Sequence, residues 1–131
     1  MKIGILTCAR LPELLESDQK LISLFTKENI SAKAVIWDDE SVDWRQFDYL
    51  IFRNTWDYYQ KENAFNSWLH KIELLGIKTF NPISVIQKNK HKFYLKDLEK
   101  EGITILPTIF LEKNSTSNLQ TLIPESWEKI V

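Results

Sequence analysis

Short apolar runs alternate with helix-period stripes along most of the chain, and that alternation predicts an α/β fold. Residues 2–8 (KIGILTC) are mostly apolar and end in polar side chains, the pattern of a strand covered on both faces of a parallel sheet. After a loop through Arg10 and Pro12, residues 13–29 place Leu14, Leu21, Ile22 and Phe25 at helical spacing, with Lys20, Lys27 and Glu28 on other faces. Residues 32–37 (AKAVIW) read as a second strand, followed by the acidic turn Asp38-Asp39-Glu40 and a short amphipathic stretch around Val42-Asp43-Trp44. Residues 48–53 (DYLIFR) read as a third strand. The cleanest helical stripe is Phe65, Trp68, Leu69, Ile72 and Leu75, with Gly76 where a left-handed C-cap belongs. Residues 77–80 form a brief fourth strand, and Asn81-Pro82 opens a short helical turn. Asn89 is expected to cap a helix over 90–101 stopped by Gly102, with 104–111 extended around Pro107. Residues 114–118 (NSTSN) are a polar loop, 119–123 a partial helix, and Lys129-Ile130-Val131 the opening of a strand.

This order predicts a mainly parallel sheet with helices on both faces, a three-layer Rossmann-like arrangement. Ligands in such sheets bind at the carboxyl ends of the strands, here residues 7–10, 37–39 and 53–57. At 131 residues, with 44% hydrophobic residues, five Trp and seven Phe, the chain can fill one core and is too short for two independent ones. The 17 basic and 18 acidic side chains are spread along it, which leaves no overall field to hold nucleic acid or an acidic membrane. The single cysteine, Cys8, excludes an internal disulfide and suits a reducing compartment, and the apolar run 3–6 is too short for a signal peptide or a membrane span. A cytoplasmic location is expected.

The segment Arg53-Asn54-Thr55-Trp56-Asp57-Tyr58 is the richest in chemistry, setting a cation, an amide, a carboxylate and two aromatics at a strand's carboxyl end. Arg53 has the planar fork to grip a substrate carboxylate, with Trp56 and Tyr58 as apolar walls. In the blander reading Asn54 or Thr55 caps the next helix, Asp57 favours its positive end, and Trp56 is core. Arg10 is either a solvated loop charge or an anion ligand. Cys8 reads as a small buried residue, Asp18 as half of a structural ion pair, and Asp38-Asp39-Glu40 as a solvated turn rather than a metal site. No G-x-G-x-x-G or G-x-x-x-x-G-K-[ST] motif occurs. Lys90 and Lys92, placed near a helix start against the dipole preference, are either solvated or offset by an anion such as a phosphate.

Taken in order, Val35 to Asp39, Val42-Asp43-Trp44, Phe47-Asp48, Arg53 to Tyr58 and Phe65 to Leu69 resemble the amino-terminal part of glutathione-synthetase-like ATP-grasp proteins. Phe80-Asn81-Pro82, Asn89 to Lys92, Leu95 to Leu98, Gly102-Ile103 and Leu106-Pro107-Thr108 resemble that family's passage into its ATP-grasp domain. The resemblance implies a pre-ATP-grasp domain over 1–88 and the first helix and strands of an ATP-grasp domain over 89–131. It implies a parent ligase that uses ATP and magnesium to phosphorylate a carboxylate, after which an amine or similar nucleophile attacks the acyl phosphate. Lys92 matches the family's first nucleotide-phosphate lysine, and Arg53, Trp56, Asp57 and Arg10 are the substrate-side candidates. No residue here matches the family's magnesium ligands or its second ATP lysine. The expectation is therefore a truncated piece, inactive alone and binding no cofactor. The alternatives are a stand-alone α/β module for homodimerisation or small-molecule binding, and a regulatory or glycosyl-transfer domain of similar build.

Overall fold

The computed structural model describes residues 1–112 and 114–127, so the expected strand at Lys129-Ile130-Val131 lies outside the described residues. The chain divides into two compact units between Lys90 and His91. The first unit is built on four parallel strands, β1 (Lys2–Thr7), β2 (Ser31–Ile36), β3 (Tyr49–Asn54) and β4 (Lys78–Phe80), in the order β2-β1-β3-β4. Its helices are α1 (Glu16–Lys27), α2 (Glu62–Leu74) and α3 (Ile83–Asn89), with 3₁₀ turns at Trp44–Gln46 and Tyr58–Gln60.

The central strand is buried on both faces because each face has its own apolar stripe to meet. Ile3 and Ile5 pack with Leu14, Leu21, Ile22 and Phe25 of the α1 side. Leu6, Val35 and Leu50 pack with Phe65, Trp68, Leu69 and Ile72 of α2, and Ile83 and Ile86 of α3 join that core. Aromatic rings fill much of the second layer: Trp37 meets Phe65 edge-on at 5.1 Å between centroids, and Trp44 meets Trp68 at 5.3 Å. Gly4 pairs with Leu50 across the β1–β3 ladder, and a Cβ at position 4 would lie 2.7 Å from Leu50 Cδ2. The absence of a side chain there lets the buried leucine lie against the strand. Gly76, at φ +66°, ends α2 in the left-handed conformation expected of a C-cap.

Several boundaries differ from the sequence reading for local reasons. The first helix begins at Glu16 rather than residue 13, because Leu14 takes φ +66° and Leu15 is extended. Asn89 closes α3 instead of capping the next helix. That helix, α4 (Tyr94–Lys100), begins after a turn through His91 to Phe93 and ends before Gly102 at φ +81°. Residues 103–112 pair with no strand among the described residues.

In the second unit, Lys96 Nζ stands 4.2 Å from the Phe93 ring centroid and 4.7 Å from that of Phe110. Asn118 accepts the Gln120 backbone N–H and so caps the single-turn helix α5 (Leu119–Leu122). No helix among the described residues is long and apolar enough to cross a membrane.

Candidate functional site

The chain steps from β1 to β2 on one side and then returns to place β3 on the other, so the strand order reverses between β1 and β3. The carboxyl ends of those two strands form the crevice where open α/β sheets bind ligands. Thr7 ends β1, and its Oγ1 donates to the Leu11 carbonyl at 2.6 Å, drawing the following loop into a tight bend. Arg10 projects from that loop as an exposed residue.

At the end of β3 the ladder carries an irregularity. Leu6 pairs with Phe52 and Thr7 with Asn54, so Arg53 is an extra residue on β3. Arg53 Nε and Nη2 both donate to Asp18 Oδ1 of α1, at 3.0 and 2.6 Å. Asp18 is buried, at 3% exposure. The Arg53 hydrogen bond holds its carboxyl below the ordinary value; burial opposes this, while Asn54 and the Arg53 charge add to it. Asn54, also buried, accepts the Leu15 backbone N–H at 3.3 Å on Oδ1. Its amide therefore serves the start of α1, whereas the sequence offered Asn54 or Thr55 as a cap for α2. The residue flanking α2 is Lys61, which makes no side-chain cap bond.

A second network fixes the loop after β3. Trp37 Nε1 donates to Asp57 Oδ1 at 2.8 Å, and Lys61 Nζ donates to Asp57 Oδ2 at 3.3 Å and to Asp38 Oδ2 at 2.5 Å. These partners, Asp38 first, raise the Lys61 ammonium above its ordinary value. Asp57 is thus buried with both carboxylate oxygens engaged. Between the two networks Trp56 stands 50% exposed, so it is surface rather than core. Lys61 was not singled out in the sequence, although its position four residues after Asp57 is the helical ion-pair spacing that could have found it.

The acidic trio does not converge. Asp38 meets Lys61, while Asp39 accepts the Ser41 N–H at 2.9 Å and hydroxyl at 2.6 Å, which lowers its carboxyl. Among the described residues no three His, Cys, Asp or Glu side chains come together as a metal site.

Beside the crevice lies a cleft of about 280 Å³, walled by Phe52, Tyr58, Phe65 and Ile86, with Thr55 and Lys90 among its polar contacts. Lys90 is occupied internally: its Nζ donates to Asn66, lies 3.5 Å from Glu62 Oε1, and its carbonyl accepts the Tyr58 hydroxyl at 2.9 Å. Lys92 is exposed in the turn before α4, in the second unit.

Residues 3–81 match the family described as "D-cycloserine synthetase DcsG, N-terminal domain", and the chain belongs to that family. It is 25% identical over 105 residues to the Streptomyces lavendulae "Cycloserine biosynthesis protein DcsG", an overlap of 80% of this chain and 32% of that protein. The solved structure described as "Crystal structure of D-cycloserine synthetase DcsG" superposes with a TM-score of 0.73 at 21% identity, covering 82% of this chain and 36% of the other. At that identity the structural likeness carries the fold. The chain spans about a third of the length of the proteins it matches.

Proposed function

We propose that this member of the synthetase amino-terminal family is the substrate-side portion of an ATP-dependent ligase that joins a carboxylate to an amine or similar nucleophile. The observation that carries the reading is the match to a synthetase's N-terminal domain over residues 3–81. The alignment to the Streptomyces protein covers 105 residues and so continues past that segment. In the proposed reaction a substrate carboxylate oxygen attacks the γ-phosphorus of ATP and ADP leaves. The nucleophile then attacks the acyl carbon, phosphate departs, and the nucleophile's proton passes to solvent or a base.

Within this chain, Arg53, Trp56 and Arg10 occupy the substrate-facing edge, and Asp57 holds the loop that presents Trp56. Lys92 is assigned to the nucleotide phosphates through its resemblance to the ATP-grasp lysine. The ATP-grasp resemblance assigns the magnesium ligands to a later part of such a ligase, and the reading therefore expects this chain alone to bind ATP weakly and to be inactive. The free, buried Cys8 suits a reducing, cytoplasmic setting.

The test is carboxylate-dependent hydroxamate formation by the complete gene product with ATP, magnesium and hydroxylamine. Hydroxamate formed in step with ADP and inorganic phosphate is the expected result. Release of AMP and pyrophosphate would instead indicate an adenylate and refute the acyl phosphate. Calorimetry of the 131-residue chain with ATP and magnesium should show no micromolar binding, and such binding would contradict the placement of the nucleotide site.

A further inference from the structure

We infer that Asp18 is the positioning residue of a carboxylate receptor whose contact group is Arg53, presented by the bulge at the β1–β3 switch point. The inference rests on the ligase reading for its substrate class and on independent geometry for its site. Arg53 is the extra residue of the ladder, and bulges beside functional sites turn a side chain out of the regular alternation. Asp18 Oδ1 takes the Nε hydrogen and one Nη2 hydrogen. The other Nη2 hydrogen and one Nη1 hydrogen form the terminal edge of the guanidinium, a fork that matches the oxygens of a carboxylate.

The pair is asymmetric in burial, with 47% side-chain exposure for Arg53 against 4% for Asp18. An ion pair that served packing alone has no need to leave its cation open. Asn54, the residue after Arg53, is tied through its side-chain oxygen to the backbone of Leu15. Neighbouring Leu14 is buried and adopts φ +66°, a conformation that leucine rarely takes. Because Asp18 neutralises the guanidinium, the receptor selects by fork geometry rather than by net field. It therefore favours a planar carboxylate over a spherical anion.

Side-chain ¹⁵N spectra of the arginines in the 131-residue chain, with acetate replacing chloride at constant ionic strength, test this. Arg45 is the internal control, since it pairs with exposed Asp43 at 3.0 Å and lies outside the crevice. Arg53 signals should shift saturably while those of Arg45 do not. Asp18→Asn uncovers the guanidinium charge and loosens the fork, and should lose the preference for acetate over chloride that the held fork provides. Arg53→Lys keeps the charge beside Asp18 but not the fork, and should abolish the response read at the Asn54 amide. That variant decides the matter if Asp18→Asn does not fold.

Arg53 signals that stay fixed, or that drift in parallel with Arg45, would overturn the receptor. A response unchanged in Asp18→Asn would remove Asp18 from it. A saturable Arg53 response combined with failure of the hydroxamate assay would sink the ligase reading and leave the receptor standing.

Discussion

The loop that carries Trp56 depends on one buried carboxylate, and replacing Asp57 measures how firmly. In Asp57→Ala the indole N–H of Trp37, a residue 1% exposed, loses its acceptor. An orphaned buried donor costs about 1–3 kcal/mol. Lys61 also loses a partner, but its side chain is 42% exposed and keeps Asp38, so that loss adds about 0–1 kcal/mol. A destabilisation of about 1–4 kcal/mol is expected. Asp57→Asn retains an oxygen for Trp37 and sacrifices the ion pair, and should cost about 1 kcal/mol. Urea denaturation followed by tryptophan fluorescence reads both, the larger loss lowering the midpoint by roughly 1–2 M for an ordinary m-value. Equal losses in the two variants would refute the reasoning, since the indole bond would then contribute nothing. So would an alanine variant within about 0.5 kcal/mol of the parent.

Gly4→Ala should destabilise by about 1–3 kcal/mol through overpacking, because the new methyl meets fully buried Leu50 and lies 3.3 Å from Phe47. Restored stability when Leu50 is also shortened, read in a double-mutant cycle, would locate the clash. Gly76→Ala meets nothing within 4 Å, so its cost of about 1 kcal/mol comes from the backbone alone, and Gly76→Asn should recover part of it. Asp18 predicts the acid limb. Its folded pKa lies below the ordinary 3.8, so the native state binds that proton less readily than the unfolded chain. Its stabilisation is complete above pH 3.8 and is lost as pH falls through the lowered value. Urea midpoints below pH 4 should therefore fall less steeply in Asp18→Asn, with Asp39 and Asp43, also lowered, supplying the slope that remains.

The first unit was legible from sequence because its elements are specified by burial. Phe65, Trp68, Leu69 and Ile72 repeat at helical spacing and are the buried face of α2, and the apolar run from Ile3 is buried on both sides of the sheet. Boundaries were harder where backbone conformation, rather than hydrophobicity, decides them. Leu14 at φ +66° delays α1, and no composition rule places leucine in that region. Asn89 looks like an N-cap, yet it completes the last turn of α3, where the Lys90 N–H donates to the Ile86 carbonyl at 2.9 Å.

The site was legible only by position. Strand ends mark where ligands bind, and that rule singled out Arg53, Asp57 and Arg10 without saying how each is held. The holding is long-range: Arg53 reaches Asp18 across 35 residues, and Asp57 reaches Trp37 across 20. Sequence spacing carries no signal at those separations. The two carboxylates also look alike in the sequence but differ in what they leave free. Asp57 has both oxygens taken and is enclosed, so it sets the loop's shape. Asp18 grips one edge of a guanidinium whose side chain stays 47% exposed. Of the residues around the end of β3, Asp57 is enclosed, whereas Trp56 and Arg53 stand half-exposed.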